Sequence, residues 1–472
     1  MLVNEHCDLA IVGGGIAGLT AAARGAELGL KVTLLEKGVD ERYMCNSRVA
    51  GGVMHIAYHD IRRTPDDLIR IMRAATGDDI SLVQAEALAL DADRLVGWLL
   101  NQGARFMKFS HAEAHRWCMA PPRPLGAGLV WEGRGPDRTL KCLTERLKER
   151  GGQLLLGAEA ESLLMEGQKC TGVVYIKDGQ KRTLKANAVL IADGGFQSDP
   201  ELFKKYIGPR PDRVLQRGAA TGIGSGLRMA VEVGASLRGL NRFYGHLLIR
   251  EAMTNTQLWP YPEADAFACA GIIVGFDGMR VADESRGGIG MANFLARMDD
   301  PTSTTAIFDA DIWEGPGRSA RFPANPYIEK FGGHVIRANS IAELANKTAL
   351  PAMQLAKTLA EYNAHVRAGT QSQLIPPRKD AKPMLIEKLP LMALPLCAGI
   401  TYTMGGIEIN EDAQVMRPDG SLIPGLFAAG ATTGGIEGGG IDGKVGYVGG
   451  LIKATFGLRA AEKVSEDAMT TH

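Results

Sequence analysis

The apolar positions near the start of the chain follow a strand–helix–strand rhythm. Leu9-Ala10-Ile11-Val12 is a continuous apolar run of buried-strand length, and Lys31-Val32-Thr33-Leu34-Leu35 is a second, ending at Glu36. Between them Gly13 to Gly18 reads as a tight turn, and Ile16 to Leu28 as a small-residue helix stopped by Gly29. Together they predict a βαβ unit. Helical spacing returns over 80–103 (Leu82, Ala85, Leu88, Leu95, Leu99) and over 138–150, which Gly151-Gly152 closes. Strand-like stretches follow at 153–165 and 170–185, the latter turning at Asp178-Gly179, and Ala188 to Ala192 is another buried strand.

From about 240 to 395 the pattern changes to short helices and Pro-containing polar loops such as Trp259-Pro260-Tyr261-Pro262. The first pattern returns after Gly399, and a long helix is predicted over 449–465. The simplest organisation is an α/β, Rossmann-like dinucleotide domain in two pieces, 1–240 and 396–472, with an α+β capping domain at 241–395 inserted between them. A chain of 472 residues exceeds one ordinary core, which agrees with this division.

Charge adds an exclusion: Lys plus Arg and Asp plus Glu number 53 each, so nothing favours nucleic acid or an anionic membrane as partner. No run of about 18 apolar residues predicts a membrane span. Seven scattered cysteines, without a CxxC pair or a haem-attachment site, read as free thiols in a reducing compartment. With no signal-peptide pattern at the N-terminus, the cytoplasm is expected, and no metal site is read.

Chemistry enters through Gly13-x-Gly15-x-x-Gly18. Its glycines, with Ile16 and Ala17, form a turn whose backbone N–H groups can meet a pyrophosphate, and Gly18 lets helix pack on strand. Glu36, at the end of the second strand, is placed to accept the ribose hydroxyls. No second glycine pattern followed by an acid indicates a separate NAD(P)H site. Gly425-Leu426-Phe427-Ala428-Ala429-Gly430 has the form with which two-dinucleotide flavoproteins close their FAD domain. Both ends of the chain are therefore expected to build one FAD site.

Through further motifs the chain resembles the fumarate reductase/succinate dehydrogenase flavoprotein superfamily over nearly its whole length. The resemblance rests on Gly13–Gly18 with Glu36-Lys37, Asn46-Ser47-Arg48 with Gly51-Gly52, and Ala192-Asp193-Gly194-Gly195-Phe196. It continues through Gly278–Glu284, Thr401–Gly406 and Ile423–Gly435. It implies FAD contacts at those motifs and at Gly430, Gly450 and Leu451, and a capping domain that closes over the flavin.

Departures from the dicarboxylate-handling branches narrow the expectation. Tyr402 replaces the His before Thr-Met-Gly-Gly, and Tyr447-Val448-Gly449-Gly450 replaces an Asn-Arg stretch whose Arg clamps a carboxylate. Arg48 stands near the position of the His that often attaches FAD, so FAD is expected to be non-covalent. Tyr447 instead resembles the 3-ketosteroid Δ1-dehydrogenase and tricarballylate dehydrogenase branches. That resemblance implies FAD-dependent α,β-dehydrogenation of a small cyclic ketone, keto acid or polycarboxylate, with hydride passing to flavin N5. The alternative is a reductase of an activated C=C bond, and either direction needs an external electron partner. Tyr447 is the candidate oxyanion donor or a tyrosine packed on the flavin; Tyr402 a proton-transfer or substrate contact or a loop anchor. His246 is a substrate-side or structural histidine. Arg286 is a candidate proton donor or a structural pair, and Arg48 contacts either a substrate carboxylate or the cofactor.

Overall fold

The computed structural model describes residues 6–124, 126–319, 322–380, 383–440 and 444–470. Its larger sheet has eight strands, and five of them run parallel in the spatial order Leu422–Ala428, Gln180–Ile191, His6–Val12, Val32–Glu36, Gln153–Leu156. Ile11 sits between Leu34 and Leu190, and Leu190 in turn lies beside Phe427. Strands covered on both faces must be apolar throughout, which is why these segments read as unbroken runs. The chain's two ends thus share one sheet. The helix Ile16–Glu27 packs against the C-terminal helix Thr455–Thr470. At Gly18 the helix touches the turn so closely that a Cβ would fall 2.0 Å from the Gly13 carbonyl oxygen.

Two strands differ from the sequence expectation. The stretch 153–165 is two strands, Gln153–Leu156 and Glu159–Glu166, broken at Gly157, whose φ is +65°. Conversely, Gln180–Ile191 joins a predicted hairpin arm to the predicted buried strand as one element of 12 residues. The last helix also begins later than predicted, at Thr455 after a 3-10 turn over Ile452–Ala454. Gly449, with φ +151°, cannot lie in a helix, so Gly449-Gly450 belong to a loop ahead of it.

The second sheet is organised around one strand, Leu391–Thr403, which runs through the boundary read at 395. Its first half pairs antiparallel with Thr305–Phe308 and Ile336–Ala338, and its second half with Phe243–Ile249. Near its end Tyr402 stands opposite Tyr244, and a bulge at Thr401 comes just before it. The two sheets meet at these strand ends, where the Phe196 N–H donates to Thr403 Oγ1 at 3.2 Å and the Asn46 amide to the Thr401 carbonyl at 2.9 Å. Among the described residues, no helix is long and apolar enough to cross a membrane.

Candidate active site

A cavity of about 540 Å³ opens at this junction. One part of its wall is the first βαβ turn with Glu36 and Lys37, joined by Asn46, Ser47, Gly51, Gly52, Ala192, Gly194 and Gly430. The Glu36 carboxylate is buried where the second strand ends, and it accepts the N–H groups of Gly14 and Gly38, each at 2.8 Å. Ser47 Oγ accepts the Ile16 N–H at 2.9 Å, which fixes the first turn of the helix against the Asn46–Val49 segment. Lys37 donates to the Thr221 carbonyl at 2.6 Å, and Asn46 Oδ1 accepts the Ala219 N–H at 2.6 Å.

This wall fits FAD. Gly13, at φ +103°, brings the turn so close to the next strand that a Cβ would lie 2.6 Å from Asp193 Cα. The buried atoms Asp193 Oδ1 and Gln197 Oε1 have no hydrogen-bond partner among the described residues, and both residues line the cavity. Burial pushes the Asp193 carboxyl up to about 6. Polar atoms left this way are costly unless a ligand meets them. FAD would therefore be held by the Gly13–Ala17 turn, Glu36, the Asn46–Ser47 segment and the residues from Ala192 to Gln197.

Another part of the wall is aromatic. Tyr244 and Tyr447 stack with ring centroids 4.2 Å apart and planes at 19°, and the Tyr402 ring lies 5.4 Å from Tyr244. Tyr58 is 5.4 Å from Tyr447 and stacks on His55 at 5.1 Å. Burial drives the phenols of Tyr244, Tyr402 and Tyr447 well above the ordinary tyrosine range, so each is a neutral hydroxyl donor. Burial likewise lowers His55 to about 4, and its Nδ1 accepts the Tyr58 N–H at 3.1 Å.

Charges near the tyrosines are paired. His246 lies between Tyr244 Oη, 2.9 Å from Nε2, and Asp265 Oδ2, 2.6 Å from Nδ1. Arg217 is buried and binds Glu263, the Pro260 carbonyl (3.0 Å) and Thr401 Oγ1 (3.0 Å). Glu437 is buried with Lys453 2.9 Å away and accepts the Tyr402 hydroxyl.

The structure brings Tyr447, Tyr402, His246, Gly450 and Leu451 to this cavity. Three residues expected at the site do not line it. Arg48 is turned beneath the wall, 2% exposed, in an ion pair with buried Asp137 at 2.6 Å and a hydrogen bond to the Glu41 carbonyl at 2.8 Å. An ion pair at that depth leaves no guanidinium for a substrate carboxylate. Arg286, on the 3-10 turn Glu284–Arg286, stacks over Phe294 at 5.8 Å and does not line the cavity, and the nearby acid Glu284 is paired with Arg280. Gly18 packs helix on strand and meets no ligand space. Sequence reasoning missed Tyr58, His55, Arg217, Tyr244, Glu263, Asp265 and Glu437. The alternation of Tyr244 with His246 on one strand was a usable signal, since residues two apart share a face.

The FAD binding domain family matches residues 8–441. The NADH:acrylate oxidoreductase of Vibrio harveyi is 28% identical over 368 residues, 75% of this chain and 34% of that one. The 4-oxocyclohexanecarboxylate 2-dehydrogenase of Sinomonas cyclohexanicum is 27% identical over 372 residues, 72% of this chain and 62% of that one. The chain therefore spans about a third of the first relative's length and under two thirds of the second's. The crystal structure of a 3-ketosteroid Δ1-dehydrogenase from Sterolibacterium denitrificans, in complex with 1,4-androstadiene-3,17-dione, superposes with a TM-score of 0.74 at 20% identity. The alignment covers 98% of this chain and all of that one. The glycine turn, the acid at the second strand and the match over residues 8–441 agree: the chain belongs to the FAD-binding domain family, and its cofactor is FAD.

Proposed function

We propose that this enzyme dehydrogenates the α,β carbon–carbon bond of a small cyclic ketone or keto acid. The observation that carries this reading is the tyrosine wall. Tyr447-Val448 stands where dicarboxylate-handling members of the superfamily place an Asn-Arg pair, and Tyr447 packs on Tyr244 beside Tyr402. Neutral phenols suit a carbonyl oxygen, because they strengthen their hydrogen bonds as that oxygen gains charge; a dicarboxylate calls for free guanidinium groups. The buried cation Arg217 is neutralised by Glu263 and Lys453 by Glu437. The relative named for 4-oxocyclohexanecarboxylate supports the same class of substrate.

In this reading the carbonyl oxygen accepts from Tyr447, with the backbone at Gly450 and Leu451 lining the same space. That bond acidifies the neighbouring C–H, and a base on the cavity wall takes its proton. FAD, when bound, supplies the hydride acceptor for the β-carbon. The segment 241–395 acts as the cap that excludes water, holding His246, Glu263 and Asp265 against the tyrosines. FAD is non-covalent, because Arg48 stands near the attachment position and faces Asp137. Electrons leave to an external acceptor, and the free thiols of all seven cysteines suit the cytoplasm. The second reading, reduction of an activated C=C bond from an external donor, is favoured by the acrylate-reducing relative.

Anaerobic mixing with 4-oxocyclohexanecarboxylate, cyclohexanone and a tricarboxylate decides between them. Bleaching of the oxidised flavin by a ketone is the expected result. If no ketone bleaches it, while the pre-reduced enzyme is reoxidised by acrylate or fumarate, the reductase reading holds instead.

A further inference from the structure

Dehydrogenation needs a base for the α-proton, and Tyr244, His246 and Asp265 are hydrogen-bonded in series beside the cavity. Tyr244 and His246 lie two apart on the strand Phe243–Ile249, so their side chains leave it on one face, and both line the cavity. The His246 ring is bonded at both nitrogens, with Asp265 Oδ2 2.6 Å from Nδ1 and Tyr244 Oη 2.9 Å from Nε2. A carboxylate can only accept, so in the neutral ring Nδ1 carries the proton and Nε2 offers its lone pair to the phenol O–H. Asp265 is itself fixed: its Oδ1 accepts the Leu247 N–H at 2.7 Å. Gly288 faces it so closely that a Cβ there would lie 1.8 Å from its Cγ.

The geometry points to an Asp265–His246–Tyr244 relay in which the Tyr244 oxygen takes the substrate's α-proton while its own proton passes to His246 Nε2. The C–H bond breaks, and its electron pair stays with the substrate as an enolate whose oxygen Tyr447 holds. Tyr244 ends the step as a neutral phenol. The positive charge appears on the imidazolium, between Asp265 and Glu263, whose Oε1 lies 3.4 Å from Nε2. No free tyrosinate forms, which agrees with a phenol that burial makes hard to ionise. The charged and titratable groups around the relay are Arg217, paired with Glu263, the Cys269 thiol near Asp265, and the phenols of Tyr58, Tyr402 and Tyr447. Orientation of a base by a carboxylate through imidazole follows the logic of hydrolytic triads, with a phenol as the terminal atom.

The relay rests on the reading that a ketone is deprotonated in this cavity, and it can be tested apart from redox chemistry. Holoenzyme reduced with dithionite is incubated in D2O with 4-oxocyclohexanecarboxylate or cyclohexanone, and deuterium at the carbon beside the ketone is followed by NMR. Flavin bleaching is measured separately with oxidised enzyme. Tyr244→Phe is expected to lower both rates by about 10²–10⁴-fold with FAD retained. Asp265→Asn is expected to lower both and to shift the acidic limb of the pH–rate profile. A third readout needs no substrate: in 15N-histidine spectra, the signal lost in His246→Gln should show a protonated Nδ1 and an unprotonated Nε2 at neutral pH. The relay is overturned if Tyr244→Phe exchanges within a few-fold of wild type, if Nε2 carries the proton, or if wild type exchanges neither ketone. Rapid exchange without flavin bleaching by any ketone would instead sink the dehydrogenase reading and leave the relay standing.

Discussion

The Tyr402 hydroxyl is shared between both oxygens of Glu437, at 3.0 and 3.1 Å. Oε1 of the same carboxylate also accepts the N–H groups of Val448 at 2.9 Å and Gly449 at 2.8 Å, and Lys453 lies 2.9 Å from Oε2. One buried acid therefore ties the end of the strand Leu391–Thr403 to the loop carrying Tyr447 and to the turn before the last helix. Tyr402 is held in place by this bond, so its hydroxyl proton is already committed to Glu437. It shapes the cavity wall beside Tyr244.

Glu437→Ala removes four of these links and strands the Lys453 ammonium, whose side chain is 2% exposed. Breaking a buried pair on one side costs about 3–5 kcal/mol. The variant is expected to melt well below wild type, and Glu437→Gln, which keeps the shape, should fall between them. An unchanged melting temperature in Glu437→Ala would show that the carboxylate does not hold the loop.

Tyr447→Phe tests the oxyanion assignment. Loss of one preorganised donor lowers the chemical step by about 10²–10³-fold. Because the ring stack on Tyr244 survives the change, FAD content and folding should be those of wild type. The measurement is the rate of anaerobic flavin reduction by a ketone substrate, and a rate within two- or three-fold of wild type would remove Tyr447 from the mechanism.

The cofactor half of this site was legible in the sequence because it depends on local chain geometry. A glycine turn, an acid at a strand end and an Ala-Gly strand terminus are each written in consecutive residues. The substrate half was only partly legible. Tyr402 and Tyr447 stood out as departures from a motif, but their neighbours Tyr58, Tyr244 and Glu263 converge from distant segments with no shared pattern. Arg48 shows the opposite failure. Its neighbours in sequence, Asn46 and Ser47, face the cofactor wall, yet one short helix turn rotates Arg48 toward Asp137. Charge pairing between residues 89 apart cannot be read from spacing.

Arg48→Ala therefore tests structure more than catalysis. It leaves Asp137, fully buried, with Lys141 at 2.9 Å and the Gly133 N–H at 2.8 Å as remaining partners. The expected outcome is a loss of about 2–4 kcal/mol in denaturant unfolding, somewhat below the range for a wholly stranded charge. KM for a ketone in the folded fraction should stay unchanged. A raised KM with unaltered stability would return Arg48 to the substrate site.

Gly13→Ala addresses the cofactor directly. The new methyl would lie 2.6 Å from Asp193 Cα and 2.7 Å from the Ala192 carbonyl oxygen, and both contacts are backbone that cannot swing aside. At φ +103° an L-residue is strained as well. The turn must move, and with it the wall that would hold the pyrophosphate. The purified variant is expected to be colourless or to lose flavin on gel filtration, with helix content retained by circular dichroism. A yellow variant with wild-type flavin content would show that the turn tolerates the displacement.

Acid stability should carry the signature of His55. The folded protein holds this imidazole neutral to about 4, by burial, against an ordinary value of 6.5. Below pH 6.5 the unfolded chain binds the extra proton and the folded one does not. Stability from this residue is therefore present above 6.5 and is lost as pH falls toward 4. At pH 5 the loss is roughly 2 kcal/mol. Asp193 works in the other direction: its carboxyl, raised by burial to about 6, keeps a proton in the folded state that the unfolded chain releases. Its contribution is present below 3.8 and is lost as pH rises through 6. The two effects offset each other in wild type, so the wild-type curve alone does not separate them. Comparison with His55→Asn does. Urea unfolding at pH 7 and pH 5 should show the variant losing about 2 kcal/mol less than wild type over that interval. Parallel losses in both proteins would mean that His55 is protonated in the folded state and that burial does not govern it.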